Sequence, residues 1–537
     1  MRLAAISLAM LVVPLAVVAA CVGDDAGVSS SPASDDGGLP DSNAPAQVPT
    51  APTNVKAVAD VPLGATISFG PPVVGAPLTS YTIHATPGGL TKDVPATATS
   101  AVVDGLTKGQ SYTFTVSATS AAGTGPESAP TAPVTIIDAP GVPGKPTACT
   151  GNAEAFVYVP AVVGATSYNL YTATAPTGAK AKVASSTTAG RVTLPSLANG
   201  TTYYVSVTSL LGTVESAASP DVMVTPKAFT KVADVFFAAS YINDGVDMFD
   251  GYSVLASGAG LPARHLVGAS TMISKPLLGS LQVVKGQGEI YVSSSTTNRV
   301  DVFRDAAAVT GDVAPVRSLS GGSTGLSTPS GVVVDTARNV LYVANRADGI
   351  RRWDDACNVT GDVAPSATFT PSDYGSFSRE LSIDEVHDRL YVANGANVTV
   401  FDGASTKVGV VTAAATKTFT FGTAVSGRYG VSYDAPSDTL FASSRDEIVG
   451  AFTGAVWSFG SVSMLPSGAI TPAQTLATAD THNAMGIQVL SNRLYVLQDS
   501  ATQIFRWNDA KNAAITAVSS RTMAQAGVFY TGATYVP

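Results

Sequence analysis

At 537 residues, with 45% apolar and only 13% charged side chains, the chain is too long for one hydrophobic core and reads as several apolar-cored domains. Thirty basic residues against 39 acidic ones leave a formal charge of −9 (30 − 39) and a pI near 4.9. No Lys/Arg cluster could neutralise a run of phosphates, so nucleic acid is not expected as a partner. Ala, Val, Thr, Ser and Gly dominate, which favours strands joined by Gly/Pro turns and an all-β fold class.

The N-terminus carries Arg2 and then a mostly apolar run from Leu3 to Val18, of signal-peptide length and short for a membrane span. Val18-Ala19-Ala20-Cys21 resembles the lipobox of bacterial lipoproteins. That resemblance implies a signal peptide over 1–20, cleavage after Ala20, and lipid attachment at Cys21 that anchors the chain to a membrane. The alternative is an ordinary secretory signal with a chance cysteine. Val22, rather than Asp, follows the cysteine, which by resemblance points to the outer membrane of a cell envelope. Residues 21–49 are rich in Ser, Asp, Gly and Pro and hold almost nothing that could be buried, so a disordered tether is expected.

Residues 50–137 alternate short β-like runs with turn signals at about ten-residue spacing, as in a small sandwich. Ile67-Ser68-Phe69, then Pro71-Pro72, Tyr81-Thr82-Ile83 and Tyr112-Thr113-Phe114-Thr115-Val116 resemble the fibronectin type III pattern. Leu106 stands six residues before Tyr112, the spacing of a tyrosine corner, and Phe69 replaces the usual Trp of the second strand. Residues 141–226 follow the same plan less faithfully, with Tyr158, Tyr168, and Leu197 six residues before Tyr203. Such modules are read as a stalk. The three cysteines, at 21, 149 and 357, form no C-x-x-C pair and no metal-ligand spacing. Stability is therefore assigned to burial and strand pairing, with Cys149 as a small buried hydrophobe.

From 231 to 537 a repeat of about 50 residues takes over, most visible in Leu341-Tyr342-Val343-Ala344-Asn345 and Leu390-Tyr391-Val392-Ala393-Asn394. Its core aromatics are Phe236, Tyr291, Tyr342, Tyr391, Phe441 and Tyr495. A second set follows at Phe249, Phe303, Trp353, Phe401, Phe452 and Trp507. Asp335, Asp384 and Asp434 each precede a core aromatic by seven residues and read as turn residues that bind local amides. Thr-Gly-Asp-Val-Ala-Pro occurs at 310–315 and again at 360–365. The pattern resembles NHL-type six-bladed β-propellers. The stretch 527–536 is then expected to supply the missing strand of the first blade and so close the fold. Six blades are counted, with seven as the alternative, because Ala455 to Asn483 is long enough to carry an insertion.

Chemistry is sparse. His84, His265, His387 and His482 are scattered, and neither H-E-x-x-H nor a calcium loop occurs, so no metal and no cofactor are expected. Gly321-Gly322-Ser323-Thr324-Gly325 matches G-x-S-x-G but lies in a Ser/Gly-rich loop, where a nucleophile elbow has no strand and helix to brace it. Asp244, Asp247 and Asp250 are spaced by three, which on a strand does not gather them on one face.

The loops at one mouth of the repeat offer Asn345, Arg346, Asn394, Arg445, His482 and Asp499 as a ligand-binding rim. Asn298, Asp348, Asp446, Arg379 and Arg428 lie in the same loops. The function expected is a non-enzymatic, lipid-anchored envelope protein that presents a propeller to a protein or carbohydrate partner. The alternatives are a propeller enzyme, lactonase- or lyase-like, and a structural scaffold of an envelope complex.

Overall fold

The computed structural model describes residues 47–536 except 76, 252–260, 278, 347, 371–379, 395–396, 412–416, 422–429, 444–445, 449–450, 454, 466–467, 477–483, 491, 499–502, 508–509, 511–520 and 525–529. Cys21, the signal segment and most of the tether lie outside them. Among the described residues the chain is all-β, and 3-10 turns are its only helical segments.

In the first sandwich, Thr53–Val61, Gly64–Gly70 and Ser100–Val103 form one sheet. Leu90–Pro95, Leu78–Thr86, Ser111–Ser120 and Gly123–Thr124 form the other. Period-2 alternation turns Tyr112, Phe114, Val116 and Ala118 inward against Ile67, Phe69, Tyr81 and Ile83. The Phe69 and Tyr81 rings lie 4.8 Å apart. Tyr112 keeps its hydroxyl satisfied by accepting from Thr107 N at 3.3 Å, the corner its spacing implies.

The second sandwich repeats the arrangement. Thr147–Thr150, Ala155–Val159 and Gly190–Leu194 face Ala181–Ser186, Ser167–Ala173 and Tyr203–Leu211, and Tyr203 accepts from Ala198 N at 3.0 Å.

Cys149 is not a lone buried hydrophobe. It forms a disulfide with Cys357, 208 residues further on, in the third repeat. Spacing gives no clue to such a pair, because the two sulfurs meet only when the second sandwich is docked on the repeat region. Around the bridge, Tyr158 Oη donates to Thr336 O at 2.7 Å and Asn358 Nδ2 to Ala148 O at 3.2 Å. Asn152 Nδ2 donates to Phe229 O at 2.6 Å, and Arg191 stacks 4.1 Å from the Phe156 ring centroid.

Among the described residues the repeats form six sheets, each built on four antiparallel strands. The second is Leu281–Val284, Glu289–Ser294, Arg299–Arg304, Arg317–Ser320, and the third is Pro329–Asp335, Val340–Asn345, Gly349–Asp354, Ala367–Phe369. The fourth to sixth sheets begin with Leu381–Asp384, Val431–Asp434 and Ala484–Leu490. In the first sheet Val235–Ser240 pairs with Gly245–Asp250 on one side and, on the other, with the C-terminal strand Tyr530–Val536. The first strand of each sheet, here called the leading strand, touches that of the next. The C-terminal strand touches those of both the sixth and the second sheet.

Two devices hold neighbouring sheets together. Along the leading strands, a side chain of the second, fourth and fifth sheets binds the backbone of the next. Gln282 Oε1 accepts from Val334 N, Ser382 Oγ from Tyr433 N at 2.9 Å, and Ser432 Oγ from Val489 N at 2.9 Å. These are equivalent positions, since Gln282, Ser382 and Ser432 stand opposite Tyr291, Tyr391 and Phe441.

On the outside, the last strand of a sheet pairs in parallel with a segment of its successor. This is Ala367–Phe369 with Gly409–Val411, and Lys417–Phe421 with Gly468–Ile470. The shared Thr-Gly-Asp-Val-Ala-Pro does the same at shorter range. Gly311 and Gly361 make the parallel bridges to Leu266 and Leu319, and Asp312 and Asp362 accept from Ser270 N and Ser323 N, both at 2.7 Å. The motif is a clasp.

Most of the repeated aromatics are buried between sheets, Tyr391 against Tyr433 at 5.1 Å and Phe369 against Phe401 at 5.1 Å. Two assignments shift. In the first sheet Phe236 lies opposite Phe249, so Phe237 is the counterpart of the other core aromatics. In the fifth, Phe452 belongs to an inserted hairpin, Asp446–Ile448 with Ala451–Thr453, and Phe459, opposite Leu440, fills the wedge. The insertion thus precedes the third strand instead of following it.

Candidate functional site

A cavity of about 230 Å3 lies among the leading strands, and its polar lining comes from Gln282, Glu380, Ser382, Ser432, Tyr433 and Gln488. Gln282, Ser382 and Ser432 spend their polar atoms on the ties between sheets.

Glu380 differs. It stands one residue before Leu381–Asp384 in the fourth sheet and reaches across to the next two. Its Oε2 accepts from Val431 N at 2.9 Å, and the carboxyl also accepts from Ile487 N. Burial pushes this carboxyl up to about 8, against the pull of the two N–H donors. Its proton is therefore largely retained at neutral pH. Gly430 makes room for it, since a Cβ there would lie 2.6 Å from Glu380 Oε2 and 2.8 Å from Ser443 Oγ.

Sequence reasoning missed Glu380, although its register was readable. Two residues before the tying position the sheets carry Ser280, Gly331, Glu380, Gly430 and Gly486, so one acid stands in a column of Gly and Ser.

The rim residues divide. Asn345 is fully buried, with its Oδ1 accepting from Ser327 N at 3.1 Å and its Nδ2 donating to Gly325 O at 2.8 Å; it braces a loop. Asn394 is buried at the same place in the next sheet. Neither presents its side chain to a ligand at a surface. Asn298 accepts from Thr328 N at 2.7 Å, and Asp348 is paired with Arg351 at 2.9 Å. Arg346 is exposed, and its N donates to Thr328 O just before the third leading strand. Arg445, His482, Asp499, Arg379 and Arg428 lie outside the described residues, and of Asp446 only the strand is described.

The remaining motifs resolve into local structure. Asp335 accepts from Ala337 N and Arg338 N at 2.9 and 3.1 Å, and Asp384 from Val386 N and His387 N at 3.0 and 3.2 Å, as turn residues do. Asp244 accepts from Lys275 N, Asp247 pairs with His265, and Asp250 with Arg264, so the three do not converge. Gly322–Thr324 is a 3-10 turn held by Asp362, and Ser323 sits on no elbow.

The fibronectin type III family matches residues 50–134, the segment with the tyrosine corner and the two-sheet core. Residues 50–134 are a fibronectin type III domain. Beyond this domain, solved structures similar to the chain include the FN1-FN3 domains of chicken CNTN1, at 19% identity over 34% of this chain and 69% of that one, TM-score 0.24. A two fibronectin type-III domain segment from chicken tenascin matches at 19% identity over 32% and 98%, TM-score 0.16. A Nidogen/Laminin complex matches at 10% identity over 57% and 98%, TM-score 0.37. No curated protein matches the chain.

Proposed function

We propose that the chain is a non-enzymatic, lipid-anchored cell-envelope protein. In this reading two fibronectin type III units carry a six-bladed, NHL-like β-propeller that binds a protein or carbohydrate partner. Fibronectin type III domains commonly mediate protein binding, and this one is followed by a second sandwich of the same plan. The observation that carries the reading is the docking of that second sandwich on the repeats through Cys149–Cys357, which makes a rigid mount of what would otherwise be a loose string.

The propeller reading is supported by the cyclic order of contacts among the leading strands and by the C-terminal strand in the first sheet. Export is supported by the N-terminal apolar run, by Val18-Ala19-Ala20-Cys21, and by a disulfide, which persists in oxidising compartments. The outer membrane, periplasmic or surface face, is the destination that Val22 favours. The rim is reduced to Arg346, Arg445, His482 and Asp499.

Capture from an envelope extract tests it. A partner held by the wild type and lost on Arg346→Ala or Arg445→Ala supports the rim, and retention by both variants counts against it. Cys21→Ala should release the protein into the soluble fraction; continued membrane attachment would defeat the anchor.

A second reading, a propeller enzyme, is favoured by Glu380 alone, a proton-holding acid in a polar cavity.

A further inference from the structure

A second cavity, with charged walls, lies not among the leading strands but beneath the second sandwich. A groove of about 410 Å3 opens where that sandwich meets the second and third sheets, and Cys357 of the disulfide lies on its wall. Its cations come from three distant places in the sequence: Lys227 just after the sandwich, Arg304 at the end of one strand, and Arg317 at the start of the next. One buried carboxylate answers them. Glu289 accepts from Arg304 Nη2 at 2.8 Å and from Arg317 Nη2 at 2.6 Å.

Three cations against two anions, Glu289 and the Asp355 carboxylate that accepts from Asn358 Nδ2 at 2.8 Å, leave the groove at +1 (3 − 2) in a protein whose total is −9. Arg317 spends its Nη groups on Ala356 O, Val359 O, Glu289 and Tyr291 Oη, and the Nε atoms of both arginines are buried, so Arg304 and Lys227 are left to supply donors. Lys227 is exposed and enters no ion pair among them. The other wall is apolar and open to solvent, with Met223 and Val316 both more than half exposed. A concave site with an apolar wall and a few converging polar groups suits a small molecule, and ligand pockets start at about 300 Å3.

We propose that this groove binds a small organic oxyanion, a carboxylate, phosphate or sulfonate carried on an apolar body. The guanidinium and ammonium groups take the oxyanion through charge-assisted hydrogen bonds, while Met223 and Val316 cover the body. The site exists only while the second sandwich is docked, and it is independent of the rim.

The test uses the full chain with its disulfide intact and two fluorescent dyes of the same aromatic body. One is anilinonaphthalene sulfonate, and the other is the neutral phenylnaphthylamine. The sulfonate should bind the wild type the more tightly. Arg304→Gln and Lys227→Gln should each weaken it about tenfold, the scale of one hydrogen bond to a charged group. Both should leave the neutral dye unmoved, and Lys182→Gln, exposed on another strand of the same sandwich, should change neither. Equal affinity for the two dyes, or a sulfonate affinity that survives both substitutions, would overturn the proposal. Lys227 is on the surface, so its variant is informative even if Arg304→Gln disturbs folding.

Discussion

Replacing Glu380 by Gln should stabilise the repeat region increasingly as pH rises. The carboxyl ionises near 4.5 when the chain is unfolded and near 8 when buried in the fold. Below pH 4.5 both states hold the proton, and the group contributes its full share of stability. Between 4.5 and 8 the unfolded chain releases the proton and the folded chain does not, so stability falls by about 1.4 kcal/mol per pH unit. Over 3.5 units (8 − 4.5) the loss reaches about 5 kcal/mol, and above 8 the folded state bears it in full. Gln fills the same space, can still accept from Val431 N through its amide oxygen, and has no proton to lose. Urea unfolding of wild type and variant at pH 5, 6, 7 and 8 isolates the effect, because other raised carboxyls such as Asp335 cancel in the difference. The gap between the two should widen by roughly 4 kcal/mol from pH 5 to 8. Parallel pH profiles would refute the placement of Glu380 as a buried, proton-holding acid.

Gly430→Ala should destabilise the repeat region by about 2 kcal/mol, because the new methyl meets the Glu380 carboxyl, Ser443 Oγ and Ile487 N, and only part of that loss should be recovered in a Glu380→Ala background. Thermal unfolding of the four-member cycle measures it. The pair Cys149→Ala and Cys357→Ala should cost about 3 kcal/mol by freeing a long loop in the unfolded chain. The same pair should speed proteolysis at Lys227 and Lys231, which limited trypsin digestion followed by mass mapping would detect. Tyr112→Phe leaves Thr107 N without its acceptor and should lower the first sandwich's stability by about 1 kcal/mol in denaturant titration.

Periodicity made the repeat part of the fold legible. Tyr291, Tyr342, Tyr391, Phe441 and Tyr495, the turns at Asp335 and Asp384, and the Tyr530–Val536 strand fall where a 50-residue period puts them, because each repeat must bury one face against the next. Local ambiguity defeated it twice. Phe236 and Phe237 are adjacent, and only the strand register says which one matches Tyr291; in the fifth sheet a short hairpin imitates the third strand. The disulfide was illegible because neither cysteine has a neighbour in sequence.

The candidate site was harder, and the reason is instructive in Asn345 and Asn394. Both are buried at the same phase of the repeat, and Asn345 spends its amide on bracing the loop at Gly325 and Ser327. The informative residue is the one that breaks its column, as Glu380 does among Ser280, Gly331, Gly430 and Gly486. The cationic groove was invisible for another reason: Lys227, Arg304 and Arg317 are too far apart to register as a cluster until the sandwich is in place.

The first sheet is finished by Tyr530–Val536, a strand that is made after those of the other five sheets. A nascent chain therefore carries Val235–Ser240 with one flank unpaired for the whole time that the other sheets are made. The first sheet cannot be completed until that late strand has been made. Truncation before Tyr530 would leave that flank bare, ready to recruit a strand from a second chain.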